Sequence, residues 1–165
     1  LNENVNQGWS QVESQYQRRA DLIPNLVSTV QGYASQEKAV FLGVTEARSK
    51  VGQVDVSKIS DPAVFQQYQA AQKELSGALS RLLVTVEAYP ALKSNENFLA
   101  LQSQLEGTEN RIATERMRYN EVATVYNKKA KMIPGKWFVG MAGLSAVREL
   151  FQAEAGADKA PQVKF

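Results

Sequence analysis

The chain has 165 residues, of which 44% are hydrophobic and 22% charged, and its formal net charge is +2. This length is typical of one globular domain, and so small a charge does not favour nucleic acid as a partner. The sequence contains no cysteine and no histidine. Disulfides, the usual zinc ligands and Ser-His or Cys-His catalytic pairs are therefore excluded.

The first segment has hydrophobic residues at the alternating three- and four-residue spacing of a helix in a bundle. This spacing extends over residues 3–50, where only Arg19 and Glu37 interrupt it. Pro24 lies inside the segment, and a proline in a helix interior costs roughly 3 kcal/mol. Two interpretations stay open, namely one kinked helix over 3–50 or a chain reversal at Pro24. The lengths of the resulting helices favour a break or sharp kink at Pro24.

The polar residues around Pro24 have roles in either interpretation. Arg18, Arg19 and Asn25 are donors for carbonyl groups that the proline ring leaves free. Asp21 is an acceptor for N–H groups at the start of a new helix. The alternative is that these residues form a solvated surface beside a kink.

Two further helices are predicted in the rest of the chain. One carries a hydrophobic stripe from Phe65 to Tyr89, with Ser60 or Asp61 as its cap. The other carries a stripe from Phe98 to Ile133, with Ser94 or Asn95 as its cap. The sequence therefore predicts an all-α, elongated up-and-down antiparallel bundle of three to four long helices.

The region after the last stripe has a weaker pattern. The pattern predicts one short helix over residues 136–151 and an extended or loosely ordered tail over residues 153–165. The bundle domain is accordingly assigned to residues 1–152. The longest apolar run, 137–147, is shorter than the roughly 20 residues that a membrane span needs. We expect a transmembrane anchor to precede Leu1.

Polar side chains also occupy stripe positions that should be apolar. We expect a buried polar layer in which Arg19, Glu37 or Arg81 pairs with acids of the last long helix, because buried charges persist only when paired. The alternative is that these long side chains reach solvent at the rim. The candidate residues of the polar network are Arg18, Arg19, Asp21, Pro24, Asn25, Glu37, Arg81, Glu109, Asn110 and Arg111.

Two Tyr-Asn pairs, 119–120 and 126–127, are seven residues apart, so the tyrosines share one helix face and the asparagines the next. We expect two buried tyrosines with hydroxyl partners. The alternative is a ligand or partner surface.

A basic and aromatic segment follows, with Lys128, Lys129, Lys131, Lys136, Trp137 and Phe138. These lysines can complement a helix C-terminus while the aromatic rings cap the core. The alternative is contact with an anionic membrane surface. Contact with the membrane that anchors the chain requires four helices, since three would place this segment at the opposite end.

Residues 4–34, 44–50 and 75–127, together with the final APQVKF, resemble the LemA family of bacterial proteins. The resemblance implies an N-terminal transmembrane anchor and a helical bundle, usually outside the cytoplasm on the periplasmic or cell-surface side. It implies no established enzymatic activity, and magnetosome-membrane proteins are among the relatives. The recurring family residues here would be Arg18, Arg19, Asp21, Pro24, Asn25, Arg81, Tyr89, Pro90, Glu109, Asn110, Arg111, Tyr119 and Asn127.

These observations predict a non-enzymatic, membrane-tethered scaffold or protein-interaction domain of the bacterial envelope. The alternative is an interfacial lipid-binding or membrane-organising protein that uses residues 128–141. We expect no cofactor, metal or small-molecule substrate, and the expected partner is a membrane or envelope protein. A hydrophobic seam left exposed by unequal helices would favour an oligomer.

Overall fold

The computed structural model describes residues 1–132, 140–141 and 148–151. Its helices are α1 (Asn2–Gln31), α2 (Lys38–Gly52), α3 (Pro62–Val86), the single turn α4 (Pro90–Lys93) and α5 (Glu96–Lys131), with a 3-10 turn at Val56–Lys58. The described part of the chain contains no strand. The predicted all-α class is therefore confirmed.

The four long helices run up, down, up and down, with α1 packed along α5 and α2 along α3. Their buried side chains form two clusters. The α4 core joins the end of α1, the start of α2, the end of α3, α4 and the start of α5. The tail core joins the start of α1, the start of α3, the end of α5 and Phe151. The start of α1 and the end of α5 consequently lie at the same end of the bundle.

Pro24 does not break the first helix. Helix α1 continues through Pro24 to Gln31, and the chain reverses over residues 32–37. The predictions of a reversal at Pro24 and of one helix over 3–50 are both wrong. Pro24 is exposed, so the carbonyl group that loses its donor there can bond to water, and the helix tolerates the ring.

The true reversal lies where the hydrophobic spacing appeared to continue. The N–H of Ala34 donates to Val30 O over 2.9 Å, and the N–H of Glu37 donates to Ala34 O over 3.0 Å. Ala34 is fully buried, whereas Tyr33, which lies seven residues after Leu26 in the apparent stripe, is 44% exposed. The continuous spacing across this turn was therefore a coincidence of two separate helices.

The starts of α3 and α5 follow the predicted caps. Asp61 Oδ1 accepts from the N–H of Ala63 over 2.9 Å, with Pro62 at the first helical position. Asn95 Oδ1 accepts from the N–H of Phe98 over 3.0 Å. These caps satisfy donors that the helix itself leaves free.

Residues 148–151 are not helical, although residues 140–141 are. The predicted single helix over 136–151 is therefore wrong for its last four residues, whose backbone groups bond to side chains of α5 instead. The predicted tail at 153–165 lies outside the described residues. Among the described residues, none of the helices combines the length and the hydrophobicity of a membrane-spanning segment.

Candidate functional site

Arg19 lies in the stripe of α1 that faces the core, and the residue is only 1% exposed. Its Nη1 donates to Ser76 Oγ over 2.6 Å and to Glu109 Oε1 over 3.1 Å. Its Nη2 donates to Gln72 O over 3.0 Å and to Gln72 Oε1 over 2.6 Å. One guanidinium therefore links α1, α3 and α5.

This polar layer separates the two hydrophobic cores. Arg19 follows Tyr16 of the tail core and precedes Ile23 of the α4 core along α1. The guanidinium carbon of Arg19 lies 5.2 Å from the centroid of the Tyr16 ring, a cation–π distance. The Glu109 side chain is 25% exposed, so its carboxylate keeps contact with water while it pairs with a buried charge.

The other predicted members of the polar network do not join Arg19. Glu37 lies just before α2 and accepts from the Tyr89 hydroxyl over 3.1 Å. Its inclusion in the layer was wrong because Glu37 lies in the turn between α1 and α2, at the end of the bundle that contains α4 (the α4 end). Arg81 was wrongly included because it is on the solvent face of α3. The remaining exposed candidates are Arg18, Asp21, Pro24, Asn25, Asn110 and Arg111.

The structure adds two partners that were not among the predicted site residues. Gln72 is 3% exposed and occupies a core position of α3, and its place in a hydrophobic stripe was the available signal. Ser76 carried no such signal, because a serine on a helix is usually solvated. In the structure, its hydroxyl also donates to Gln72 O of the same helix.

The tail core is built around an aromatic cluster. The Trp9 ring lies 5.9 Å from Phe65, 5.3 Å from Tyr68 and 6.1 Å from Tyr119, measured between centroids. The Phe151 ring stacks on Trp9 at 6.3 Å with an interplanar angle of 14°. Phe151 therefore completes a cluster whose other rings belong to α1, α3 and α5.

Asn120 and Asn127 hold the segment 148–151 along α5. Asn120 Nδ2 donates to Phe151 O over 3.0 Å, and its Oδ1 accepts from the N–H of Phe151 over 2.9 Å. Asn127 pairs with Arg148 in the same way: its Nδ2 donates to Arg148 O over 2.9 Å, and its Oδ1 accepts from the N–H of Arg148 over 2.5 Å. Each amide thus replaces the hydrogen-bonding partner that a neighbouring strand would supply.

The spacing of the two asparagines matches the segment that they bind. Seven residues of helix rise about 10.5 Å, and three residues of extended chain cover about 10 Å. Asn120 and Asn127 can therefore bind backbone groups three residues apart. We call the surface formed by Trp9, Phe65, Tyr119, Asn120 and Asn127 the tail groove.

Two side chains of the segment fit the tail groove and its rim. Phe151 is 6% exposed, and its ring also lies 4.9 Å from the Arg116 guanidinium carbon. The Arg148 guanidinium carbon lies 5.4 Å from the Tyr126 ring, and its Nη2 donates to Asn2 Oδ1. A cavity of about 30 Å³ lies beside the segment, and Arg148 and Glu149 form part of its lining.

The two predicted tyrosines are both buried, at 4% exposure for Tyr119 and 3% for Tyr126. The Tyr119 hydroxyl donates to Glu149 O over 3.2 Å. The same pairs of residues also form the surface that binds 148–151. The expectation of two buried tyrosines is therefore confirmed, and Tyr119 has a hydroxyl partner. The alternative of a ligand or partner surface stays a prediction.

Three of the predicted basic residues are exposed at the end where the chain begins. Lys128, Lys129 and Lys131 lie in the last turn of α5, next to Met132, which is 61% exposed. Lys136, Trp137 and Phe138 lie outside the described residues. We refer to the three lysines and Met132 as the lysine end.

Ionisation of the buried tyrosines should weaken the fold in alkali. Burial raises the pKa of Tyr68 and of Tyr119 above the ordinary value of 10.0. The folded protein thus retains protons that the unfolded chain has released. The resulting stabilisation is complete below pH 10 and is lost as the pH rises through the folded pKa, by up to about 1.4 kcal/mol per pH unit for each tyrosine.

Urea unfolding between pH 8 and pH 11 measures this loss. Tyr68→Phe should flatten the dependence of the unfolding free energy on pH above about 10, since it removes one of the responsible groups. Equal slopes for the wild type, Tyr68→Phe and Tyr119→Phe would contradict the assignment.

Comparison with known proteins covers nearly the whole chain. A family model described as LemA family matches residues 8–165. Magnetosome protein MamQ 2 of Paramagnetospirillum magneticum is 26% identical over 176 residues, which cover 96% of this chain and 64% of the relative. Magnetosome protein MamQ of Magnetospirillum gryphiswaldense is 25% identical over 165 residues, covering 89% of this chain and 61% of the relative.

A third relative carries the family name itself. Protein LemA of Metamycoplasma hominis is 27% identical over 120 residues, which cover 73% of this chain and 52% of the relative. The chain thus spans less than two thirds of the length of each of these relatives. Because the family model matches all but the first seven residues, the chain belongs to the LemA family.

Proposed function

We propose that this chain is a non-enzymatic, membrane-tethered scaffold or protein-interaction domain of the bacterial envelope, held upright with its lysine end toward the membrane. The observation that carries the proposal is that the start of α1 and the lysine end lie at the same end of the bundle. An anchor preceding Leu1 would place that end at the bilayer and would present the α4 end to envelope proteins.

Two further features support this role. Arg19 locks three helices together through buried hydrogen bonds, which suits a rigid spacer more than a mobile catalyst. The relatives named magnetosome proteins are associated by name with an organised cellular structure, as a scaffold would be. We place the domain on the extracytoplasmic side of the membrane.

Energy transfer from single labels to the bilayer tests the upright orientation. This chain has no cysteine. Single cysteines at Ser94 and Lys131, both exposed, can be labelled in the full-length protein reconstituted in vesicles with an acceptor lipid, with the same protein lacking both substitutions as the labelling control. Helix α5 is about 54 Å long at 1.5 Å per residue. We expect strong transfer from position 131 and weak transfer from position 94.

The orientation experiment has clear contrary outcomes. Equal transfer from the two positions would mean that the bundle lies flat on the bilayer, and stronger transfer from position 94 would mean that it is inverted. Either result would overturn the proposed arrangement. Circular dichroism of the two labelled proteins checks that both are folded.

The alternative function is interfacial lipid binding by the segment 128–141. The three exposed lysines and the exposed side chains of Met132 (61%) and Met141 (68%) favour it, because cationic and apolar groups together suit an anionic bilayer surface. Flotation of this chain with anionic and neutral vesicles, at low and high salt, tests it. Binding should be specific for anionic vesicles and sensitive to salt.

A matched pair of variants identifies the binding surface in the flotation experiment. Substituting Lys128, Lys129 and Lys131 with Gln should weaken binding roughly 100-fold, at about 1 kcal/mol for each lysine near the surface. The control changes Lys38, Lys73 and Lys93, which are exposed elsewhere, to Gln and removes the same charge. Equal loss in both variants, or no binding by the wild type, would contradict a lipid-binding lysine end.

A further inference from the structure

We propose that the tail groove is a peptide-binding site, which residues 148–151 occupy in the free protein. From a partner protein it would take an extended segment with an arginine and, three residues later, an aromatic residue. This names the chemistry of a partner for the interaction role proposed above and rests on it, but the groove is separate from the lysine end.

The groove recognises the backbone of its occupant. Within the described residues, the hydrogen bonds between the two asparagines and this segment involve main-chain groups of residues 148 and 151, whose C=O groups accept and whose N–H groups donate. Any segment of similar backbone geometry can form them, whatever its side chains. This is the way in which extended peptides are bound at the edge of a sheet, with asparagine side chains in place of the edge strand.

Two side chains add selectivity to this backbone recognition. Phe151 stacks against Trp9 and lies 4.9 Å from the Phe65 ring and 5.4 Å from the Tyr119 ring, so its site favours an aromatic residue. Arg148 is placed over the Tyr126 ring and donates to Asn2. Between them, Leu150 is 38% exposed and contributes little to recognition.

The arrangement favours direct replacement of residues 148–151 by a partner segment, because an empty groove would be unfavourable. Loss of residues 148–151 alone would expose the faces of Trp9, Phe65 and Tyr119, and a contiguous apolar patch of this kind requires a cover. The asparagines are held on a regular helix, so the site needs no rearrangement before it binds a second segment. A competing peptide must overcome an intramolecular occupant at an effective concentration in the mM range.

Release of residues 148–151 would also remove a contact at the start of α1. Arg148 bonds to Asn2 in the first turn of α1. A partner that displaced residues 148–151 would break this bond at the end of the bundle that is proposed to face the membrane. The groove thus offers a route by which partner binding would be sensed at the tethered end.

A labelled peptide with the sequence VRELFQAE, residues 147–154, provides the probe. Its fluorescence anisotropy is measured with the complete chain and with an Arg148→Ala/Phe151→Ala variant, in which the intramolecular occupant is weakened. We expect the variant to bind the peptide at least about 10-fold more tightly than the wild type, because it no longer competes at mM effective concentration. The same peptide with its arginine and phenylalanine changed to alanine should not bind.

A second pair of variants assigns the peptide to the groove. In the weakened background, Asn120→Leu/Asn127→Leu should abolish binding. Asn97→Leu/Asn110→Leu, at exposed positions of the same helix, should leave binding unchanged. Thermal melting followed by circular dichroism confirms that each variant is folded.

Three outcomes would overturn the proposal. They are no binding to the folded weakened variant at about 1 mM peptide, equal affinity for the wild type and that variant, and equal loss in the two asparagine pairs. The result is independent of membrane contact, because the peptide experiment contains no vesicles. Failure of the upright orientation would therefore reject the proposed function, and failure of vesicle binding would reject its lipid-binding alternative, while either would leave the groove intact.

Discussion

Replacing Arg19 with methionine should lower the free energy of unfolding by about 3 kcal/mol. Methionine preserves most of the buried volume but leaves Glu109, Gln72 and Ser76 without their shared donor. Removal of one partner of a buried ion pair typically costs about 3–5 kcal/mol, and the 25% exposure of Glu109 places the cost at the lower limit. The melting temperature should fall by about 6–12 °C for a chain of this size.

The control for this substitution is Arg81→Met. Arg81 is on the solvent face of α3, so the same chemical change there should alter stability by less than about 0.5 kcal/mol. Urea unfolding of both variants provides the measurement, and Glu109→Gln should fall between them because Arg19 keeps its bonds to Gln72 and Ser76. An effect of Arg19→Met no larger than that of Arg81→Met would show that the buried layer contributes nothing to stability.

The second large effect is expected at the aromatic cluster. Trp9→Ala should destabilise the protein by about 4 kcal/mol, within the range of about 3–5 kcal/mol for buried Phe or Trp changed to Ala. Trp9 is 9% exposed and contacts rings of α3, α5 and the segment 148–151. Its removal leaves a cavity that the surrounding helices cannot close.

Guanidinium unfolding measures this loss, and two further variants calibrate it. Trp9→Phe should cost less, since a smaller ring still packs against Phe65 and Tyr68. Val84→Ala, at a position that is 72% exposed, should change stability by less than about 0.5 kcal/mol. If Trp9→Ala were as mild as Val84→Ala, the cluster would not hold the tail core together.

The sequence was sufficient for the helical class because hydrophobic spacing and caps are local signals. Asp61 and Asn95 could be identified as caps from their place before a stripe. The reversal over 32–37 could not, because Val40 and Val44 happened to continue the register of α1. Pro24 was the stronger signal for the end of a helix, yet a long packed helix can accommodate an exposed proline.

The candidate site was predictable to the extent that its residues violated a pattern. Arg19 stood out because it is a charged residue in an apolar stripe. An acidic partner could be predicted because an unpaired buried charge is costly. Asn120 and Asn127 stood out by their seven-residue spacing. Their partner did not, since binding of 148–151 depends on how a distant part of the chain returns to α5, which no local pattern encodes.

The shared position of the start of α1 and the segment 148–151 has a mechanical consequence. A force that separates these two parts of the chain acts on one end of the bundle, so it opens α1 from α5 like a zipper instead of sliding one helix along the other. The bond between Arg148 and Asn2 would break first, then the contacts of Trp9 and then those of Arg19. The aromatic cluster and the buried guanidinium thus form two successive barriers to tension, while the α4 core would bear the pull last.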